Sequence, residues 1–120
     1  MPTEIPIDER FARAVYDSFV LAYAEERGRA YSSTPIAEIA DPRFRAAAAL
    51  FQDLSDPQKV ALTGLIQQTA ADVLALLFQL IQGGTYLEGF NDADFHLAYG
   101  PHEIGRELAD HLLNLDQDGA

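Results

Sequence analysis

A chain of 120 residues, 48% of them hydrophobic, is long enough for one globular domain with a core of its own. Nineteen acidic against eight basic residues give a formal net charge of −11, a single-sign field that repels nucleic acid and anionic membrane, since phosphate binding needs lysine and arginine to displace counterions. With no cysteine, disulfides, thiolate catalysis and cysteine-ligated zinc are excluded, and a reducing compartment suits the chain.

The opening MPTEIPIDER is acidic and lacks the basic-then-apolar order of a secretory signal. The first helix is expected from about Asp8 to Glu26. Phe11, Val15, Phe19 and Tyr23 recur every four residues, and Tyr16 and Val20 widen the stripe. Gly28 is read as its stop. A loop through Thr34-Pro35 leads to a short helical turn at 36–39, then to the alanine-rich PRFRAAAALFQD, a third helix over about 42–53. Pairs of X-Pro mark helix starts, because proline at the first helical position gives up an N–H that would have been unpaired anyway. Asp41-Pro42 and Asp56-Pro57 fit this pattern, as does Gly100-Pro101, and Ser55-Asp56-Pro57-Gln58 has capping-box spacing.

The fourth helix, about 57–82, is the spine. Its first half is amphipathic, with Lys59, Thr63 and Gln67 opposite Leu62, Leu65 and Ile66; its second half is apolar nearly all round. A helix apolar on every side is buried on every side, so this half is expected at the centre of the domain or of a homodimer. The most lipid-like run, VLALLFQLI at 73–81, with Gln79 its one polar interruption, is about half the length of a bilayer span. A cytoplasmic protein is the expectation. Asp72 precedes that run, and Arg27, Arg29, Arg43 and Arg45 are candidate partners for it if it is buried. Gly83-Gly84 ends the spine. A last helix over about 101–114 sets Ile104, Leu108, Leu112 and Leu115 on one stripe, and the acidic tail DQDGA is expected to fray. The fold class is therefore mainly α, a compact bundle of about four helices in a single domain spanning 1–120, with a small β-hairpin near 85–99. Alternation of Phe95, Leu97 and Tyr99 favours the hairpin; a short helix capped by Asp92 or Asp94 is the alternative.

Chemistry is concentrated in GGTYLEGFNDADFHLAYGPHE, residues 83–103. Counted from Asp92, a calcium loop would place Asp94, His96 and Glu103 correctly, but it needs glycine where Leu97 stands. HEIGR at 102–106 begins as a zinc-protease motif and fails at Arg106. His96, His102 and His111 lack ligand spacing. His96 with Asp92 or Asp94 is a candidate acid–base or ligand-binding couple, though aspartates beside Asn91 and Gly89 more often cap their own backbone. Neither a nucleophile elbow nor a phosphate-binding loop occurs, and no cofactor or metal is expected.

Charge is uneven: residues 1–59 carry seven basic and ten acidic side chains, whereas 60–120 carry Arg106 against nine acids. The expected function is a small acidic, non-enzymatic inhibitor that docks on a basic partner such as a toxin or nucleic-acid-binding protein, by covering its channel with carboxylates. Its expected contact face is Glu88, Asp92, Asp94, Glu103, Glu107 and Asp110, with Tyr86, Phe90 and Tyr99 as aromatic anchors. The segment LSDPQKVALTGLIQQTAADVLALLFQLIQGG, 54–84, resembles small, mostly uncharacterised bacterial proteins, some of immunity type. That resemblance implies an inhibitory or accessory role; a phage or viral inhibitor has the same physical profile.

Overall fold

The structure, a computed structural model, describes residues 5–90, 92–105 and 107–118. Residues 7–33 form one unbroken helical rod in three sections: α1 (Ile7–Val15), a π-helical segment (Tyr16–Leu21) and α2 (Ala22–Ser33). Asn91, Arg106 and the last two residues of the acidic tail lie outside the described residues. The rod buries Ala12, Val15, Tyr16, Val20, Ala24 and Gly28. Val15, Tyr16 and Val20 of the expected stripe are buried and Phe11 packs on the core, but the inward repeat continues through Ala24 and Gly28, and Phe19 and Tyr23 face outward. In a pure α-helix a four-residue repeat drifts by about 40° per step; the wider π turn takes up part of that drift and keeps the stripe on the core.

Gly28 does not stop the helix. It is buried inside α2, where an added Cβ would lie 3.0 Å from Thr63 Oγ1, so it serves as the close-approach point between α2 and α4 (Asp56–Gln82). After a 3₁₀ turn (Ile36–Glu38), α3 (Pro42–Gln52) opens with the Asp41 side chain accepting from the Arg43 N–H, as its X-Pro pair predicts. Gln52 donates to the carbonyls of Tyr31 and Thr34, satisfying the end of α2, and Tyr31 packs between the rings of Phe44 and Phe51.

The capping box at α4 is formed: Gln58 N–H donates to Ser55 Oγ, and Ser55 N–H donates to Gln58 Oε1. The helix ends at Gly83 with φ 81°, and the Gly84 N–H closes the turn on the Gln79 carbonyl at 2.7 Å. A small hairpin is present, but residues 86–88, expected to pair back on 94–99 across a turn at 89–92, are not a strand. Instead β1 (Leu97–Tyr99) pairs forward with β2 (His102–Ile104), antiparallel with Leu97 opposite Ile104 and Tyr99 opposite His102. Gly100-Pro101 therefore makes a two-residue turn and not a helix start; Gly100 takes the positive φ such a turn needs. The last helix, α5 (Leu108–Asp118), starts seven residues beyond the expected position and continues into the tail as far as Asp118.

The chain is a mainly α bundle with one small antiparallel hairpin. Its principal core joins α1, the π segment, α4, β2 and α5 around Tyr16, Val20, Phe78, Ile104, Leu108 and Leu112. Gln67 donates to the Tyr16 hydroxyl, which donates to Asp116, tying the π segment, α4 and α5 with one polar chain. Asp116, expected in a frayed tail, is thus anchored. Desolvation first, and then the Asp116 carboxylate, raise the Tyr16 pKa above its ordinary value. The molecule is a slab of 49 × 45 × 23 Å with a radius of gyration of 17.8 Å, against about 14 Å for a compact chain of this length.

The second half of α4 is not enclosed. Ala71, Ala75 and Phe78 are buried, while Val73, Leu76 and Leu77 on the opposite side are open. By length and composition α4 could cross a membrane, which its nine-residue lipid-like run did not suggest; only 11% of its most apolar window is buried. Asp72 is exposed, and among the described residues the four candidate arginines are engaged elsewhere or left in solvent: Arg29 on Glu25, Arg45 on the Ile39 carbonyl, Arg27 on Tyr23.

Candidate functional surfaces

Because Gly83-Gly84 stops α4 abruptly and the hairpin does not begin until Leu97, residues 85–90 and 92–96 cross the end of the bundle as irregular chain. A turn closed by the Phe90 N–H on the Leu87 carbonyl, with Gly89 at φ 87°, folds Phe90 back toward Phe95, ring centroids 6.5 Å apart. Between this loop, the end of α4 and the hairpin lies an open cavity of about 620 Å³. Tyr86, Phe90, Phe95, Asp94, Glu103 and Asp8 line it together with His96, and no lysine or arginine does so among the described residues. The cavity thus combines aromatic faces with carboxylates, the pairing that attracts a cationic group.

Of the expected contact residues, Tyr86, Phe90, Asp94 and Glu103 are brought together here. Glu88 and Asp92 are exposed on the same loop beside it, Tyr99 is exposed at the hairpin turn, and Glu107 and Asp110 are exposed at the start of α5. His96 meets a carboxylate through Nδ1, at 3.0 Å, but the partner is Glu103 and not Asp92 or Asp94; their side chains are 71% and 74% exposed. Solvent on both sides leaves this couple without the desolvation that makes such pairs reactive. Among the described residues no three His, Asp or Glu side chains converge as metal ligands would.

The chain matches no protein-family model, no curated protein and no solved structure. Its functional reading therefore rests on its own residues.

A second surface was not expected from the sequence. Turned outward by the π segment, Phe19 and Tyr23 face α4 across an open groove, also about 620 Å³, lined by Tyr31, Leu65, Thr69, Val73 and Leu74 as well. Arg27 closes one side, its guanidinium 5.3 Å above the Tyr23 ring and its Nε donating to the Tyr23 hydroxyl. The available signal was the wealth of apolar residues on the rod: two interleaved four-residue stripes, of which one helix face can bury only one.

Proposed function

We propose that this protein is a small acidic, non-enzymatic binding module whose 83–105 excursion docks on a basic surface of a protein partner, in the manner of an immunity protein or a nucleic-acid mimic. The observation that carries this reading is the cavity at the end of the bundle. It gathers Tyr86, Phe90 and Phe95 with Asp94 and Glu103, and has no lysine or arginine among its described lining residues. A lysine or arginine side chain entering it meets ring faces and carboxylates together. The net charge of −11 adds long-range steering toward such a partner.

The test is titration of a fluorescent arginine- and lysine-rich peptide, with a glutamate-rich peptide as control, at low and high salt. Only the basic peptide should bind, more weakly as salt rises, and the double change Asp94→Asn with Glu103→Gln should flatten that salt dependence. An affinity indifferent to salt would sink the proposal. A second reading, a small enzyme or ligand-binding domain, draws on the His96–Glu103 contact; it requires that His96→Ala abolish turnover or ligand binding while the fold survives.

A further inference from the structure

We infer that a second copy of this chain covers the apolar side of α4 and its groove, making the protein an isologous homodimer through Phe19, Tyr23, Leu65, Val73, Leu76 and Leu77. The first support is area. The chain exposes 8657 Å², whereas a compact monomer of 13.2 kDa exposes about 6,400 Å². The excess is about 2,200 Å² per chain, where a standard interface takes about 800 Å² from each partner and obligate dimers take more. A slab 23 Å thick is about two helices deep, so α4 is covered on one side and open on the other.

Charge is the second support. Between Val60 and Gln82 the one charged residue is Asp72, so two copies can meet here although each carries −11 overall. Shape is the third: α4 carries a groove, lined by Phe19, Tyr23 and Val73, and, next along the helix, the exposed side chains of Leu76 and Leu77. A two-fold pairing can set the exposed leucines of each copy against the groove of the other, each copy offering both. A bilayer fits this face less well. Gln68, Thr69 and Asp72 lie exposed along the middle of α4, where lipid would have to accept a charge, and the acidic chain is repelled by anionic headgroups.

The experiment is sedimentation equilibrium of the full chain from dilute to concentrated solution, at low and high salt. The expected mass is twice 13.2 kDa, and raising salt should leave the association unchanged or tighten it by screening like charges. That response is opposite to the one expected for a basic ligand at the 83–105 excursion, so the two proposals fail separately. Leu76→Glu with Leu77→Glu should yield monomer or unfolded chain. Because unfolding alone would also abolish a dimer of that variant, Thr69→Cys and Val73→Cys are oxidised in the otherwise cysteine-free chain and should give disulfide-linked dimers, while Ala98→Cys on the hairpin should not. A monomer mass throughout, open-ended oligomers, equal cross-linking at Ala98→Cys, or flotation of the wild type with phosphatidylcholine or phosphatidylglycerol vesicles would each overturn the inference.

Discussion

Along the outer side of α4, Val73, Leu76 and Leu77 stand in solvent on a helix whose other side is packed; along the 83–105 excursion, Glu88, Asp92 and Asp94 stand in solvent on irregular chain. Water treats the two exposures differently. A carboxylate is best left hydrated, so the excursion is stable as it is and gains a partner only where a cation offers more than water does. Each open leucine or valine forfeits the transfer free energy that burial would bring, roughly 1.5–3 kcal/mol for a whole side chain. Thus an occupant on the apolar side would add to the stability of the fold, whereas one on the acidic side would add little.

The largest expected effect separates the two sides of α4. Phe78 is 4% exposed and packs on Phe11 at 6.1 Å between ring centroids; Phe78→Ala should cost about 3–5 kcal/mol, through lost burial and the cavity left behind. Leu77, its neighbour in sequence, is half exposed. Leu77→Ala should cost far less, and its cost should shrink further on dilution, because it acts through association and not through the inner packing. Urea unfolding at two protein concentrations measures both. Equal costs for the two substitutions would mean that the inner and outer sides of the spine are wrongly assigned.

A smaller effect comes from the polar link that fixes the inner side. Tyr16→Phe removes the hydroxyl that accepts from Gln67 and donates to Asp116, at a cost of about 1–2 kcal/mol. Its pH dependence has a definite sign. The folded pKa of Tyr16 is raised above its ordinary value of 10.0, so folding favours the neutral phenol. That contribution is complete below pH 10 and is lost as pH rises through the higher folded value. Wild-type stability should therefore fall more steeply than that of Tyr16→Phe above pH 10, read as midpoints of urea unfolding across the alkaline range.

Elements announced by local chemistry were legible in the sequence: α4 by its Ser55–Gln58 capping box and Gly83-Gly84 stop, α3 by Asp41-Pro42. Elements decided by distant contacts were not. Gly28 is a helix stop on local grounds, and only Thr63, far along the chain, makes it a packing glycine. Of the expected stripe Phe11, Val15, Tyr16 and Val20 do meet the core, but Phe19 and Tyr23 do not, and periodicity weighted by bulk passes over Ala12 and Ala24, which sit inward in their place. Gly100-Pro101 suits a helix start and a hairpin turn equally, since a fixed proline φ serves both. At the excursion, composition identified the acidic and aromatic side chains. It could not show that Asp94 and Glu103 face one cavity, which depends on the register pairing Leu97 with Ile104.

The smallest effect on stability belongs to the acidic side and decides between its two readings. His96 and Glu103 are both largely in solvent, and an exposed polar contact of this kind contributes about 0–1 kcal/mol. His96→Ala should therefore leave the unfolding midpoint nearly unchanged. For a docking surface, removing the imidazole takes away the one basic group lining the cavity among the described residues and frees the Glu103 carboxylate for an incoming cation. Binding of a basic peptide should be retained or slightly tightened. Glu103→Gln removes a charge from the same pair at similarly little cost to folding, but should weaken that binding. Where the histidine instead moved a proton, both substitutions would fail together. Opposite signs for the two substitutions thus favour recognition by charge, and a shared loss of activity favours catalysis.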